Sequence, residues 1–138
     1  MRYKALKVFQ FYYVFTIIAS NAFPFEKMHV DIVNGFQGNL LQIHCQSKDD
    51  DLGDQELVPG QVYGWGFRIN FLATTLYYCT FWWKNGHHEN DVFWSEQKHL
   101  RGCCGSANCV WKASEDGIYL YNDGTKTFEF MYAWDKSY

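Results

Sequence analysis

Between Val62 and Phe71 the chain alternates strictly. Tyr63, Trp65, Phe67, Ile69 and Phe71 fall on one parity, Gly64, Gly66, Arg68 and Asn70 on the other. A helix would scatter such a set around its surface, whereas an extended strand places every second side chain on one face. The pattern recurs. Val30 and Ile32 flank Asp31 within His29–Val33, and Leu41, Ile43 and Cys45 alternate with Leu40, Gln42 and His44. The Thr75–Trp83 run is apolar on both parities and reads as a central strand covered on both sides. Shorter candidates follow at Asp91–Ser95, Cys109–Ala113, Gly117–Tyr121 and Phe128–Trp134. No stretch keeps a helical period beyond a turn or two.

Turn residues separate these runs: Asn34-Gly35, Asp49 to Gly53, Pro59-Gly60, Asn85-Gly86, Asp116-Gly117 and Asp123-Gly124. Each offers positive φ or a side chain that bonds its own turn. Asn122-Asp123-Gly124 between two aromatic runs predicts a hairpin. About eight short strands at this spacing predict an all-β antiparallel sandwich or barrel. Only the polar, aperiodic stretch from Glu96 to Asn108 reads as a long ordered loop.

The first 22 residues do not belong to that sandwich. Arg2, Lys4 and Lys7 precede an apolar run from Val8 to Ala19, and Ser20-Asn21-Ala22 puts small residues where a signal peptidase cuts. The run is shorter than the roughly 20 residues of a spanning helix. We therefore expect a signal peptide at 1–22, cleavage after Ala22, and a single extracellular domain over 23–138 with no membrane insertion. Three of the 12 Lys and Arg residues leave with the leader and none of the 15 acidic ones, so the mature formal charge is −6. An acidic product lacks the basic surface that nucleic acid or an anionic bilayer would require.

Five cysteines lie in the mature part, Cys45, Cys79, Cys103, Cys104 and Cys109. In an oxidising compartment they predict two disulfides and one spare thiol. Sharper chemistries fail on pattern. Counted from Asp49, the acidic run puts Asp54 and Gly60 where a calcium-binding EF-hand loop wants Gly and Glu. His87-His88, His99 and the Cys103–Cys109 cluster carry zinc-ligand atoms without four-ligand spacing, so no metal is expected. His99 with Cys103 or Cys104 is a formal nucleophile pair with no orienting Asn or Asp in view. Neither glycine-rich phosphate motif is present, and no enzyme and no cofactor are expected.

The order and spacing of several motifs carry a resemblance. Val30-Asp31-Ile32-Val33-Asn34 leads into Ile43-His44-Cys45-Gln46-Ser47-Lys48-Asp49-Asp50-Asp51-Leu52-Gly53. Pro59-Gly60, Tyr63-x-Trp65-x-Phe67, Thr75-Leu76-Tyr77-Tyr78-Cys79 and Phe81-x-Trp83 follow, then Cys109-Val110-Trp111, Asp116-Gly117-Ile118-Tyr119 and Tyr132-Ala133-Trp134. Together they resemble the plant self-incompatibility S-protein homologues over essentially the whole mature chain. That resemblance implies a secreted, disulfide-stapled β-sandwich acting as a small protein ligand. The founding members are pistil proteins that arrest incompatible pollen through a pollen-surface receptor. It also implies a disulfide framework of Cys45, Cys79, Cys104 and Cys109, with Cys103 spare, and leaves three connectivities open.

The resulting expectation is a monomeric signalling or pollen-rejection-like factor recognised by a membrane receptor. The alternative is a carbohydrate- or wall-binding or defence module that stacks ligands on exposed aromatics. Ser95–Ala107 resembles by position the hydrophilic recognition loops of the family, which makes Glu96, Lys98, His99 and Arg101 the candidate partner-binding residues. Trp82 or Trp94, if exposed near Lys84–Asn90, is a further candidate anchor.

Overall fold

A computed structural model describes residues 27–105 and 107–136, so the expected signal peptide lies outside the described residues. Among these, no helix is long and apolar enough to cross a membrane. The elements in chain order are β1 (Lys27–Asn34), β2 (Leu41–Gln46), β3 (Asp51–Leu57), β4 (Val62–Arg68), β5 (Leu76–Trp83) and β6 (Gly86–Trp94). A short helix, α1 (Lys98–Cys103), then leads to β7 (Asn108–Ser114), β8 (Gly117–Asn122), β9 (Thr127–Tyr132) and β10 (Asp135–Lys136).

Two five-stranded sheets result, ordered β4-β1-β7-β8-β9 and β10-β6-β5-β2-β3. Of the two architectures that the alternation allows, the fold is the β-sandwich that the resemblance implies, with ten strands among the described residues where about eight were expected. Pairing is antiparallel except between β1 and β7, where Ile32 lies beside Trp111 in a parallel register. A parallel neighbour needs a long crossover. Here the chain runs through β2 to β6 and α1 before returning.

Inward parity builds the core. Val30, Ile32, Leu41, Ile43, Cys45, Cys79, Phe81, Trp111, Ile118 and Leu120 are all buried. The Trp111 indole N–H crosses between the sheets to donate to the Val92 carbonyl at 2.9 Å, so this large side chain is buried without an orphaned donor.

Three departures have local causes. Asp51–Leu57 is an edge strand and not part of a turn. The turn is Ser47–Asp50, closed by Ser47 N–H to the Asp50 carbonyl at 2.7 Å. The alternating strand at Val62 stops at Arg68 because Asn70 folds the chain back: its Oδ1 accepts from Thr74 N–H at 2.8 Å, and Ala73 sits at φ 54°. Phe71 is therefore exposed, not inward. The outer face of β5 is only half-covered, with Leu76, Tyr78 and Thr80 half-buried and Trp82 exposed, so this strand is not sandwiched on both sides.

Candidate functional site

The stretch expected to be a loop contains α1, about one and a half turns long. Gln97 caps it, its side-chain oxygen accepting from Leu100 N–H at 2.9 Å, which satisfies one of the orphan donors of the first turn. Leu100 and Cys103, three apart, turn inward and are buried. The far end is fixed twice. The Cys103 carbonyl accepts from Asp123 N–H at 3.0 Å, and Cys104 is bonded to Cys109 at the start of β7. The other disulfide joins Cys45 to Cys79, directly opposite each other on β2 and β5, and Cys103 is a buried free thiol.

The four candidate residues occupy different environments. Glu96 and Lys98 are exposed. Arg101 is half-buried and its guanidinium lies 3.5 Å from the Ser95 carbonyl. His99 is engaged: its Nε2 lies 2.9 Å from Oε2 of Glu129 on β9 and 3.5 Å from the Cys103 sulfur. The Cys103 thiol lies 3.7 Å from the same carboxylate oxygen. Asn122 Nδ2 donates to the other oxygen, Oε1, at 2.7 Å. That bond first, and the His99 contact second, hold the Glu129 carboxyl below the usual carboxylate range. Burial, with the Glu129 charge, pushes the Cys103 thiol up, which keeps it protonated and a poor nucleophile.

Glu129 escaped sequence reasoning. It alternates with Phe128 and Phe130, and two aromatics normally face a core. On β9 they face out, with Phe130 55% exposed, and Glu129 is the residue turned towards α1. His87 and His88 lie on β6, away from His99 and Cys103. There the His88 ring packs 4.8 Å from Tyr132 and its Nδ1 is 3.1 Å from Asp135 Oδ2.

Elsewhere, Trp82 is 39% exposed on the outer face of β5, beside clefts shared with Leu40, Gln42 and Lys84 on one side and Asp54 and Glu56 on the other. Trp94 is half-buried against the core. On the opposite sheet, Tyr119 and Phe130 meet edge to face at 80°, and Tyr121 and Phe128 at 71°. The Lys112 ammonium lies 4.2 Å from the Phe128 ring.

The profile of the plant self-incompatibility protein S1 family matches residues 29–134, from β1 to the residue before β10. The chain belongs to that family. Arabidopsis thaliana S-protein homolog 2 is 40% identical over 121 residues, covering 86% of this chain and 74% of that protein. S-protein homolog 24 of the same plant is 41% identical over 99 residues, covering 70% and 63%. A solved structure of SPH (self-incompatibility protein homologue) proteins, a widespread family of small, highly stable, secreted proteins from plants, shares the fold. The TM-score is 0.62 at 23% identity, over 81% of this chain and 96% of that one. Membership places this S-protein homologue among secreted, extracellular plant proteins of a non-enzymatic family.

Proposed function

We propose that this S-protein homologue is a protein ligand read by a membrane receptor, with Glu96 and Lys98 on the α1 segment at the centre of the contact. The observation that carries the reading is the contrast between the two sides of that segment. Its base is pinned by Leu100, Cys103, the Cys104–Cys109 bond and the Asp123 amide, while Glu96 and Lys98 are exposed. A pre-ordered segment loses little conformational entropy on binding, and exposed charges on it set partner choice and encounter rate. Arg101, bonded back to Ser95, shapes the segment as well as contributing charge. The acidic mature chain favours a receptor surface rich in Lys and Arg. Trp82, exposed beside Lys84, is a second anchor on the other sheet.

The wall-binding alternative needs flat aromatic faces set side by side. The outer rings of β8 and β9 instead meet edge to face, an arrangement that satisfies the rings mutually and offers a sugar no flat platform. Nor do His99 and Cys103 make a catalytic relay. Cys103 and Glu129 address the same ring nitrogen, so the carboxylate does not orient the ring from its far side.

The test is binding of labelled mature protein to plant plasma-membrane vesicles and to wall polysaccharides side by side. We expect saturable vesicle binding that protease treatment of the vesicles removes. It should weaken at least ten-fold in Glu96→Ala/Lys98→Ala while the melting temperature stays unchanged. Polysaccharide binding without vesicle binding would overturn the receptor reading. Normal vesicle binding by the double variant would move the contact away from α1.

A further inference from the structure

We propose that His99, Cys103 and Glu129 form a binding site for a zinc-type divalent cation, held at the junction of α1 and β9. Three different ligand atoms, an imidazole nitrogen, a thiol sulfur and a carboxylate oxygen, converge on one point. His99 Nε2, Cys103 Sγ and Glu129 Oε2 are 2.9, 3.5 and 3.7 Å apart pairwise. Tetrahedral zinc takes nitrogen and oxygen at about 2.0–2.2 Å and sulfur at about 2.3 Å, so its donor atoms stand roughly 3.3–3.6 Å from one another. The His99–Glu129 separation has to open by a few tenths of an ångström, within reach of two side chains that are both partly exposed.

The supporting frame is that of a ligand set. His99 and Cys103 are four apart on one helical face, and the Cys103 carbonyl is tied by 3.0 Å to the Asp123 amide in the β8–β9 turn. The helical pair and the strand that carries Glu129 are therefore held in fixed relation. Asn122 occupies Glu129 Oε1 and leaves Oε2 free to ligate, the role played by an outer partner that orients a ligating carboxylate. Cys103 also has no cysteine left to pair with, because Cys45, Cys79, Cys104 and Cys109 are used in the two disulfides. On binding, the thiol proton leaves to solvent and the metal takes its place on sulfur. Three protein ligands leave a fourth position for water or for a donor side chain of a partner. His99, 53% exposed, puts that position at the surface.

The experiment uses the secreted protein with both disulfides intact. Titration with zinc chloride, followed by calorimetry, should show one site per chain. Cobalt(II) in its place should give a thiolate-to-metal charge-transfer band in the near ultraviolet and ligand-field bands of a four-coordinate ion. Zinc should also protect Cys103 from alkylation, read by mass spectrometry on the native protein. Cys103→Ser should abolish the charge-transfer band, and His99→Gln and Glu129→Gln should each weaken zinc binding at least ten-fold. Asn122→Ala should weaken it less while preserving the band. Glu129→Gln keeps side-chain size, and circular dichroism with disulfide mapping checks that each variant is folded. Zinc binding that survives all three ligand substitutions, a cobalt spectrum without a thiolate band, or no binding at all would each overturn the proposal.

Discussion

Replacing Asn34 by Ala should destabilise the domain by about 2–5 kcal/mol, more than most core truncations of similar size. Asn34 ends β1 and is fully buried. Its Nδ2 donates to the carbonyls of Leu57, on β3 of the opposite sheet, and of Asn39, both at 2.9 Å, and its Oδ1 accepts from Phe36 N–H at 2.9 Å. One side chain thus binds the end of one sheet to the end of the other. Truncation leaves the Leu57 carbonyl and the Phe36 N–H without partners where water does not reach, at about 1–3 kcal/mol each. The Asn39 carbonyl, only partly buried, regains solvent. Against a domain stability of about 5–15 kcal/mol the loss is large, and it corresponds to a melting-point drop on the order of 10 °C or more. Urea unfolding of wild type, Asn34→Ala and Asn34→Asp provides the assay. Asp keeps the acceptor for Phe36 and turns a carboxylate oxygen towards two carbonyl oxygens, so it should be at least as damaging as Ala. A loss below about 1 kcal/mol for Ala with an unchanged m-value, or an Asp variant milder than Ala, would refute the reasoning.

Two further outcomes are expected. The Cys45–Cys79 bond closes a span of 34 residues and Cys104–Cys109 one of 5, so loop-closure entropy assigns them about 4 and about 2 kcal/mol. Urea unfolding of the paired Ala variants should show the first pair costing more, and the reverse order would sink the entropic account. His44 sits between Asp51 at 2.6 Å and Asp54 at 2.8 Å, and the Asp51 bond raises its pKa above 6.5. Its stabilisation is complete below that unfolded value and disappears as pH rises through the elevated folded value. The Asp51 carboxyl, lowered first by the Gly53 amide and then by His44, contributes above 3.8 and loses its contribution as pH falls through the folded value. Melting temperatures measured across roughly pH 5–8 should therefore fall less steeply above pH 6.5 in His44→Gln than in wild type, and parallel profiles would count against the linkage.

What the sequence revealed and what it hid divide along the range of the forces involved. Leu41, Ile43 and Cys45 are buried against exposed Leu40 and Gln42 because parity along a strand is a local property. Asp51–Leu57 was hidden because an edge strand needs little burial, and charged outward residues there discourage pairing with other chains. Only Leu57 in it is fully buried. The helix α1 was hidden because six residues carry no period. Its sole trace is the spacing of Leu100 with Cys103, together with the four-residue step from His99 to Cys103. The parallel β1–β7 pairing has no local signature at all, since its partners lie about 80 residues apart.

The candidate metal ligands combine both cases. The His99–Cys103 half is a local spacing, visible once a helix is assumed there. The Glu129 half depends on a register: β9 pairs with β8 so that Glu129 lies opposite buried Leu120 and Phe128 and Phe130 face outward, the pairing shifting only beyond them, between Ile118 and Tyr119. Side-chain period is two, so a slip of one residue would put Glu129 in solvent and both phenylalanines beneath α1. The cluster thus exists by virtue of that register. Gly117 at the start of β8 has φ 151°, and a Cβ there would meet the Phe130 ring at 2.5 Å and the Tyr132 carbonyl at 2.6 Å, so the close approach of β9 at the shift requires a residue without one. A site whose third ligand is set by a hairpin register 30 residues from the first is beyond any motif search, yet it follows directly from how the two strands pair.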